Sequence, residues 1–270
     1  MTDLTPDQLP PENLEAIKNH NKQAWNLSVA SQNRWTVPVS SEEISQARNG
    51  ILNLILTPEK IVPSQWLGNL KGKKVLALAS GGGQQGPILA AAGADVTVLD
   101  LSPKQLEQDQ LVAEREGLDL TLIQGPADDL SMIEDSSIDL VFNPCSSCFF
   151  PELEPVWQQL ARIIKPGGSF LTGFNNPIAF CFDFEKANLG QYHMKYSLPY
   201  SDLRSLDERE RKRFLRRETP LEYSHTLTDQ IGGLIKHGFV IDGFYEDDWG
   251  GSEPIDGFFP QFIALKARLV

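Results

Sequence analysis

Histidine and cysteine are scarce, at four and three residues in a chain of 270, and that scarcity argues against a bound metal. Cys145-Ser-Ser-Cys148 has redox or zinc spacing, yet a zinc centre takes about four ligands and no second Cys-x-x-Cys or His-x-x-x-His accompanies it. Cys145 reads instead as small neutral pocket lining, with a reactive thiol as the alternative. Long apolar runs are missing as well. Nothing approaches the ~18 residues of a membrane-spanning helix, and the amino terminus, Met-Thr-Asp-Leu-Thr-Pro, lacks the basic start and apolar centre of a signal peptide. The expectation is a cytoplasmic protein without membrane contact. Positive charge is short: 24 lysines and arginines face 36 acids, for a formal charge of −12, a balance that repels a polyanion and speaks against nucleic acid as partner. One basic cluster (Arg209, Arg211, Lys212, Arg213, Arg216, Arg217) is interleaved with Asp207, Glu208, Glu210 and Glu218 and reads as a salt-bridged, solvated helix. Repeats and low-complexity tracts are absent too, while 41% hydrophobic residues suffice for the core of one enlarged α/β domain or a domain with an appendage.

Against these absences stands the stretch Val75-Leu-Ala-Leu-Ala-Ser-Gly-Gly-Gly-Gln-Gln-Gly-Pro87. A short apolar run ends in Gly81, Gly82 and Gly83, and Pro87 is placed to open a helix. Such a turn lets backbone approach a ligand closely, and the free N–H groups of the following helix favour polar or anionic groups. Val96-Thr-Val-Leu-Asp100 reads as a second buried strand. Its last residue lies about 20 positions beyond the first glycine, the usual place for a carboxylate that accepts both ribose hydroxyls. Ser102-Pro-Lys-Gln105 forms a capping box and Gly117 a helix stop. A flat, adenosine-like ligand is expected there. Because Gly81-x-Gly83-x-x-Gly86 also fits the pyrophosphate pattern of dinucleotide enzymes, an NAD(P)-dependent oxidoreductase stays open.

The flanking chain is read as follows. Residues 1–12 are proline- and acid-rich and expected to pack loosely. Leu14 to Trp35 is helical in pattern, Ser40-x-x-Glu43 caps a helix to Asn49, and Leu52 to Thr57 resembles an added strand. Beyond Pro155, Val156, Leu160, Ile163 and Ile164 share one helical face. Ser169 to Phe174 is the fifth strand, and residues 178–223 form an insertion of the kind that covers a site. Thr226 caps a helix that stops at Gly238, and the strands Phe239–Tyr245 and Phe258–Leu265 close the chain.

The order glycine loop (Ala79 to Gly83), acid after the second strand (Asp100, with Ser102-Pro-Lys-Gln-Leu106), Ser137-Ile-Asp-Leu-Val-Phe142 and Lys165-Pro-Gly-Gly168 resembles the class I S-adenosylmethionine-dependent methyltransferases of the small-molecule type. It covers roughly residues 70–176 and, more thinly, 226–267. The resemblance implies an α/β fold: a doubly wound, mostly parallel, Rossmann-like seven-stranded sheet with an antiparallel last strand, an N-terminal helical extension or lid over residues 1–70, and a cofactor-binding domain over 71–270. It implies S-adenosyl-L-methionine as cofactor and a small-molecule acceptor, and it leaves the oligomeric state open. Three positions depart from the family. Ala77 and Ala79 replace an acid and the first loop glycine, which keeps a non-catalytic cofactor-binding module in view. The proline after Gly125 replaces another acid, so the adenine contacts are open.

Ligands in such sheets bind at the carboxyl ends of the strands. That nominates Ala79, Ser80, Gly81, Gly82, Gly83 and Gln85; then Asp100, Leu101 and Gln105; then Ala127 and Asp128; then Asn143 and Cys145. Asn143 reads either as a polar pocket residue or as a turn former, and Asn175 and Asn176 fall in the same layer. His225 precedes a helix amino terminus, where imidazole is biased toward its neutral form; it is the candidate general base, with a surface cap as the alternative. Tyr192, His193, Tyr196 and Tyr200 read as acceptor-pocket lining or a packed lid, and Trp25, Asn33, Arg34 and Trp35 as a cover over the cofactor or as packing onto the core.

Overall fold

Val75 to Leu78 are entirely buried, which a strand achieves only when both faces of its sheet are covered. In the computed structural model, which describes residues 13–216 and 218–270, this run is β1 (Lys74–Leu78), an interior strand of the sheet. It is joined in parallel by β2 (Asp95–Asp100), β3 (Leu120–Gln124), β4 (Ile138–Asn143) and β5 (Ile164–Asn175). A short antiparallel pair, β6 (Tyr200–Ser201) and β7 (Tyr223–Ser224), stands apart. The chain then returns through β8 (Phe239–Asp247) and β9 (Phe262–Leu269), with β9 inserted antiparallel between β5 and β8. The order is β3-β2-β1-β4-β5-β9-β8, the seven-stranded, mostly parallel architecture expected from the sequence.

The helices are α1 (Leu14–Ala30), α2 (Ser41–Arg48), α3 (Ser64–Leu67), α4 (Gln85–Ala91), α5 (Pro103–Glu116), α6 (Glu154–Ile163), α7 (Phe184–Ala187), α8 (Asp202–Ser205), α9 (Glu208–Leu215) and α10 (Gly233–Lys236). Period-two alternation splits the core: Leu76, Leu78 and Val141 face Trp157 and Leu160 of α6, while Val75, Ala77 and Val98 face Ile44 of α2 and Leu89 of α4. Val156, Leu160, Ile163 and Ile164 are all buried, as their spacing requires. A third, smaller cluster binds Ile17 of α1 to Leu203, Leu215, Leu221 and Tyr223 of the insertion, so the two added segments form one layer. No helix among the described residues is long and apolar enough to cross a membrane. The loose packing expected for residues 1–12 lies outside the described residues, as does Arg217 of the basic cluster. The rest of that cluster sits on or beside α9, where Asp207 and Glu210 make a full capping box and Arg213 pairs with Glu185.

Several boundaries differ from expectation. The first helix ends at Ala30 rather than near Trp35, because Gln32 takes a left-handed conformation at φ 54° and a separate 3-10 turn holds Arg34–Thr36. Leu52 to Thr57 is not a sheet strand. It makes one bridge, Ile55 to Ile61, and its carbonyls are used elsewhere: Leu54 O accepts from Val62 N–H and Leu56 O from Cys145 N–H. β5 begins at Ile164, so the Lys-Pro-Gly-Gly run lies within the strand, and the last strand begins only at Phe262. The helix expected to begin at Pro87 already begins at Gln85. The helix after Thr226 is broken by a π turn, Thr228–Gly232, before Gly233. A Cβ at Gly233 would come within 2.6 Å of the Trp157 ring, so close packing on α6 sets that backbone.

Candidate active site

A cleft of about 280 Å³ opens at the carboxyl ends of β1, β2 and β4. Ala79, Ser80, Gly81, Gln85, Asp100, Leu101, Gln105, Ala127, Asp128 and Cys145 line it, so ten of the thirteen pocket nominations converge there. Ala79 stands at φ 46°, a conformation that glycine adopts freely and alanine only under strain. The first loop position thus keeps its left-handed turn although glycine has been replaced. Ala77, where an acid would be expected, is fully buried in the apolar core.

Asp100 is positioned by the turn it follows. Its Oδ2 accepts Gly81 N–H at 2.9 Å and its Oδ1 accepts Ser102 N–H at 2.8 Å. Burial pushes its pKa up to about 6 against the pull of those N–H donors. Only half of the expected capping box forms. Ser102 Oγ accepts Gln105 N–H at 3.1 Å, but Asp100 has taken the Ser102 N–H that the Gln105 side chain would have used. Gln105 Oε1 is left buried without a partner, as are Ser80 Oγ and Gln85 Oε1.

Three nominations do not reach the cavity. Gly82 and Gly83, at φ 111° and 73°, turn away from it: a Cβ on Gly82 would meet Trp35 O at 2.8 Å and one on Gly83 would meet Gln108 O at 2.8 Å. Gly82 N–H is held by Asp109 Oδ2 at 3.0 Å, and burial pushes the Asp109 pKa up to about 8. These glycines shape the loop from behind. Asn143, entirely buried, is a clamp across three strand ends: its Nδ2 donates to Leu78 O at 2.8 Å and to Ser146 Oγ at 2.6 Å, and its Oδ1 accepts from Thr172 Oγ1 at 3.1 Å.

The opposite wall comes from segments with weak sequence signals. Ile17, Lys18, Asn21 and Trp25 of α1 face the cleft, with Trp25 edge-on to Phe149 at 5.2 Å. Lys18 pairs with Asp128 at 2.7 Å, and Asn26 Oδ1 accepts from Ser102 Oγ at 2.8 Å, which ties α1 over the strand ends. Trp35 lines the cleft with Trp249, whereas Asn33 and Arg34 do not; Asn33 caps its own turn and Arg34 stacks over Trp35 at 4.4 Å. Asn175 reaches the cleft, and Asn176 instead bonds Pro260 O. Among the insertion residues Glu222 alone lines the cavity; Tyr196 and Tyr200 pack with Phe184 as a cluster beneath it, and Tyr192 packs against Phe258. Burial raises the thiols of Cys145 and Cys148, both free, away from the reactive thiolate.

His225 is elsewhere. It lines a second recess of about 490 Å³ with Glu152, Glu154, Trp157, Asp229 and Lys236. This recess lies between α6 and α10, away from the glycine loop. His225 Nε2 donates to Phe150 O at 2.9 Å, and burial lowers its pKa. A backbone tether is what this placement supports. His225→Ala is therefore expected to cost about 1 kcal/mol of stability and to leave ligand affinity in the main cleft within about twofold. Melting and calorimetric titration check both.

A sequence model of a methyltransferase domain family matches residues 76–172. An uncharacterised methyltransferase of Bacillus subtilis (strain 168), YbaJ, is 46% identical over 237 residues, spanning 88% of this chain and 93% of the relative. A crystal structure of an S-adenosylmethionine-dependent methyltransferase from Mesorhizobium loti superposes with a TM-score of 0.59 at 18% identity, over 76% of this chain and 94% of the other. The 1,6-didemethyltoxoflavin-N1-methyltransferase of Burkholderia thailandensis, solved with its substrate and S-adenosylhomocysteine, reaches 0.59 at 13% identity over 97% of this chain and 92% of the other.

Proposed function

This chain belongs to the class I S-adenosylmethionine-dependent methyltransferases, and we propose that it methylates a small molecule seated between α1 and the segment carrying Glu222. The observation that carries this reading is the convergence of the glycine loop, Asp100 and Gly125 to Asp128 on one cleft at the carboxyl ends of the parallel strands. Asp100 fits the ribose diol: each carboxylate oxygen accepts one backbone N–H and retains a lone pair for a hydroxyl. Gly125 to Asp128 form the wall on the adenine side.

Bound S-adenosylmethionine supplies a methyl on a sulfonium whose leaving group needs no protonation. The protein's work is alignment and exclusion of water. We assign the lid to α1 and the Arg34–Thr36 turn within residues 1–70, the cofactor domain to 71–270, and the acceptor wall to the insertion at 178–223. The Lys18–Asp128 pair and the Asn26–Ser102 bond hold that lid down. The left-handed turn at Ala79 supports cofactor binding despite the lost glycine.

The direct test is thermal melting with S-adenosylhomocysteine, NAD and NADP. Ligand at about 100-fold over its dissociation constant stabilises by ~2.7 kcal/mol, a shift of roughly 5 °C for a chain of this size. The shift is expected with S-adenosylhomocysteine alone. A response to NAD or NADP instead would restore the oxidoreductase alternative raised by the glycine pattern.

A further inference from the structure

Four carboxylates line the main cleft: Asp100, Asp128, Glu152 and Glu222. Asp100 is engaged by two backbone N–H groups, Asp128 by Lys18, and Glu152 is exposed at the mouth. Glu222 differs from all three. Its carboxylate has no hydrogen-bond or ion-pair partner among the described residues, yet its backbone is held from both sides. Its N–H donates to Asp202 Oδ2 at 2.7 Å, and Leu221 beside it exchanges hydrogen bonds with Asn21 of α1, N–H to Oδ1 at 2.8 Å and Nδ2 to O at 3.3 Å. Asn21 and Asp202 are themselves buried. A rigid mount thus carries a free carboxylate near Cys148, on a cleft that Ile17, Trp25 and Phe149 also line.

Resting on the methyltransferase reading above, we propose that Glu222 removes the proton of the methyl acceptor, and that the acceptor is a compact planar molecule whose reacting nitrogen or oxygen carries a hydrogen. The balance is simple. The acceptor lone pair forms the new bond to the methyl carbon, the carbon–sulfur electron pair leaves on sulfur, and the acceptor proton passes to Glu222 and then to water. The aromatic wall of Trp25 and Phe149 suits a flat ring, and among the described residues Lys18 is the one cation lining the cavity and is paired with Asp128.

Burial and the Asp202 charge push the Glu222 pKa up to about 8, which brings its basicity closer to a weakly acidic N–H or O–H. The charged group that bears on it is Asp202, with Tyr200 bonded behind it, and the Cys148 thiol lies nearby. Asp202 accepts both the Tyr200 hydroxyl, at 2.7 Å, and Glu222 N–H, and its own pKa rises only to about 6.

Indole and 1-methylindole are suitable probes, because they differ in one N–H. With the protein saturated with S-adenosylhomocysteine, wild type should prefer indole by roughly tenfold or more at about pH 9, where Glu222 is ionised and the hydrogen bond is charge-assisted. The preference should fall below about threefold at about pH 6.5, where Glu222 is protonated, and at both pH values in Glu222→Gln. Equal S-adenosylhomocysteine affinity in the two proteins serves as the folding control. Failure of wild type to bind S-adenosylhomocysteine would sink the methyltransferase reading itself. With that binding intact, absence of indole binding, a pH-independent preference in wild type, or an undiminished preference in Glu222→Gln would each overturn the Glu222 assignment.

Discussion

Asp100→Ala is expected to weaken S-adenosylhomocysteine binding by about 10- to 150-fold, because charged hydrogen bonds to a diol are worth ~1.5–3 kcal/mol. The variant also strands Gly81 N–H and Ser102 N–H, which Asp100 now satisfies, so some loss of stability accompanies the loss of affinity. The pH dependence has a definite sign. Burial raises the carboxyl from 3.8 to about 6 in the ligand-free protein, so the folded state holds this proton more tightly than the unfolded chain does. Its contribution to stability is complete below about pH 4 and is lost as pH rises through about 6, by up to ~3 kcal/mol. Ligand hydroxyls favour the ionised form, so cofactor affinity should fall as pH drops below about 6. Calorimetric titration of wild type and variant across that range checks both statements. Unchanged affinity in a folded Asp100→Ala protein would remove Asp100 from the site.

Gly173→Ala should damage the protein more than any substitution in the glycine loop suggests. Gly173 lies within β5, paired with Ala264, and a Cβ there would sit 2.0 Å from Leu56 O. That carbonyl accepts Cys145 N–H, and both Leu56 and Cys145 line the cleft. No side-chain rotation relieves a clash with backbone, so the segment around Leu56 must move. A loss of about 3 kcal/mol is expected, a fall of roughly 5–10 °C in melting temperature, with weaker S-adenosylhomocysteine binding as the wall shifts. Gly257→Ala, where nothing lies within 4 Å of a new Cβ, is the control and should change stability by less than about 0.5 kcal/mol.

The glycine-loop half of the candidate site was legible because it is assembled from short-range pieces. The glycine turn, Asp100 and Ser102 lie within one strand–helix–strand–helix unit, where period and cap chemistry name the elements. Even there, local pattern misjudged what faced inward: Gly82, Gly83 and Asn143 turned out to support the wall rather than form it, since the direction of each depends on what packs behind it. Leu52 to Thr57 shows the same limit. Its alternation runs from Asn53 to Leu56, with Leu54 and Leu56 buried and Asn53 and Ile55 more open, before Thr57 is buried as well, but alternation specifies two faces and not a hydrogen-bonding partner. The backbone was claimed by Cys145 and Val62 instead.

The acceptor half was not legible, for a reason of distance along the chain. Asn21 and Leu221 bond to each other although 200 residues separate them, and Glu222 owes both its rigid mount and its raised pKa to that meeting and to Asp202. A glutamate in an aperiodic, charge-rich insertion looks like any solvated acid. Only packing of α1 against the insertion withdraws water from it. By itself, then, the sequence determined the strands of the sheet, the helices that flank them, the glycine turn and the acid that follows it, all of which follow from contacts between neighbours in the chain. The tertiary structure alone decided which carboxylate faces an apolar cleft without a partner and that His225 does not face it, because burial and the partners of a charge are properties of the whole packed molecule.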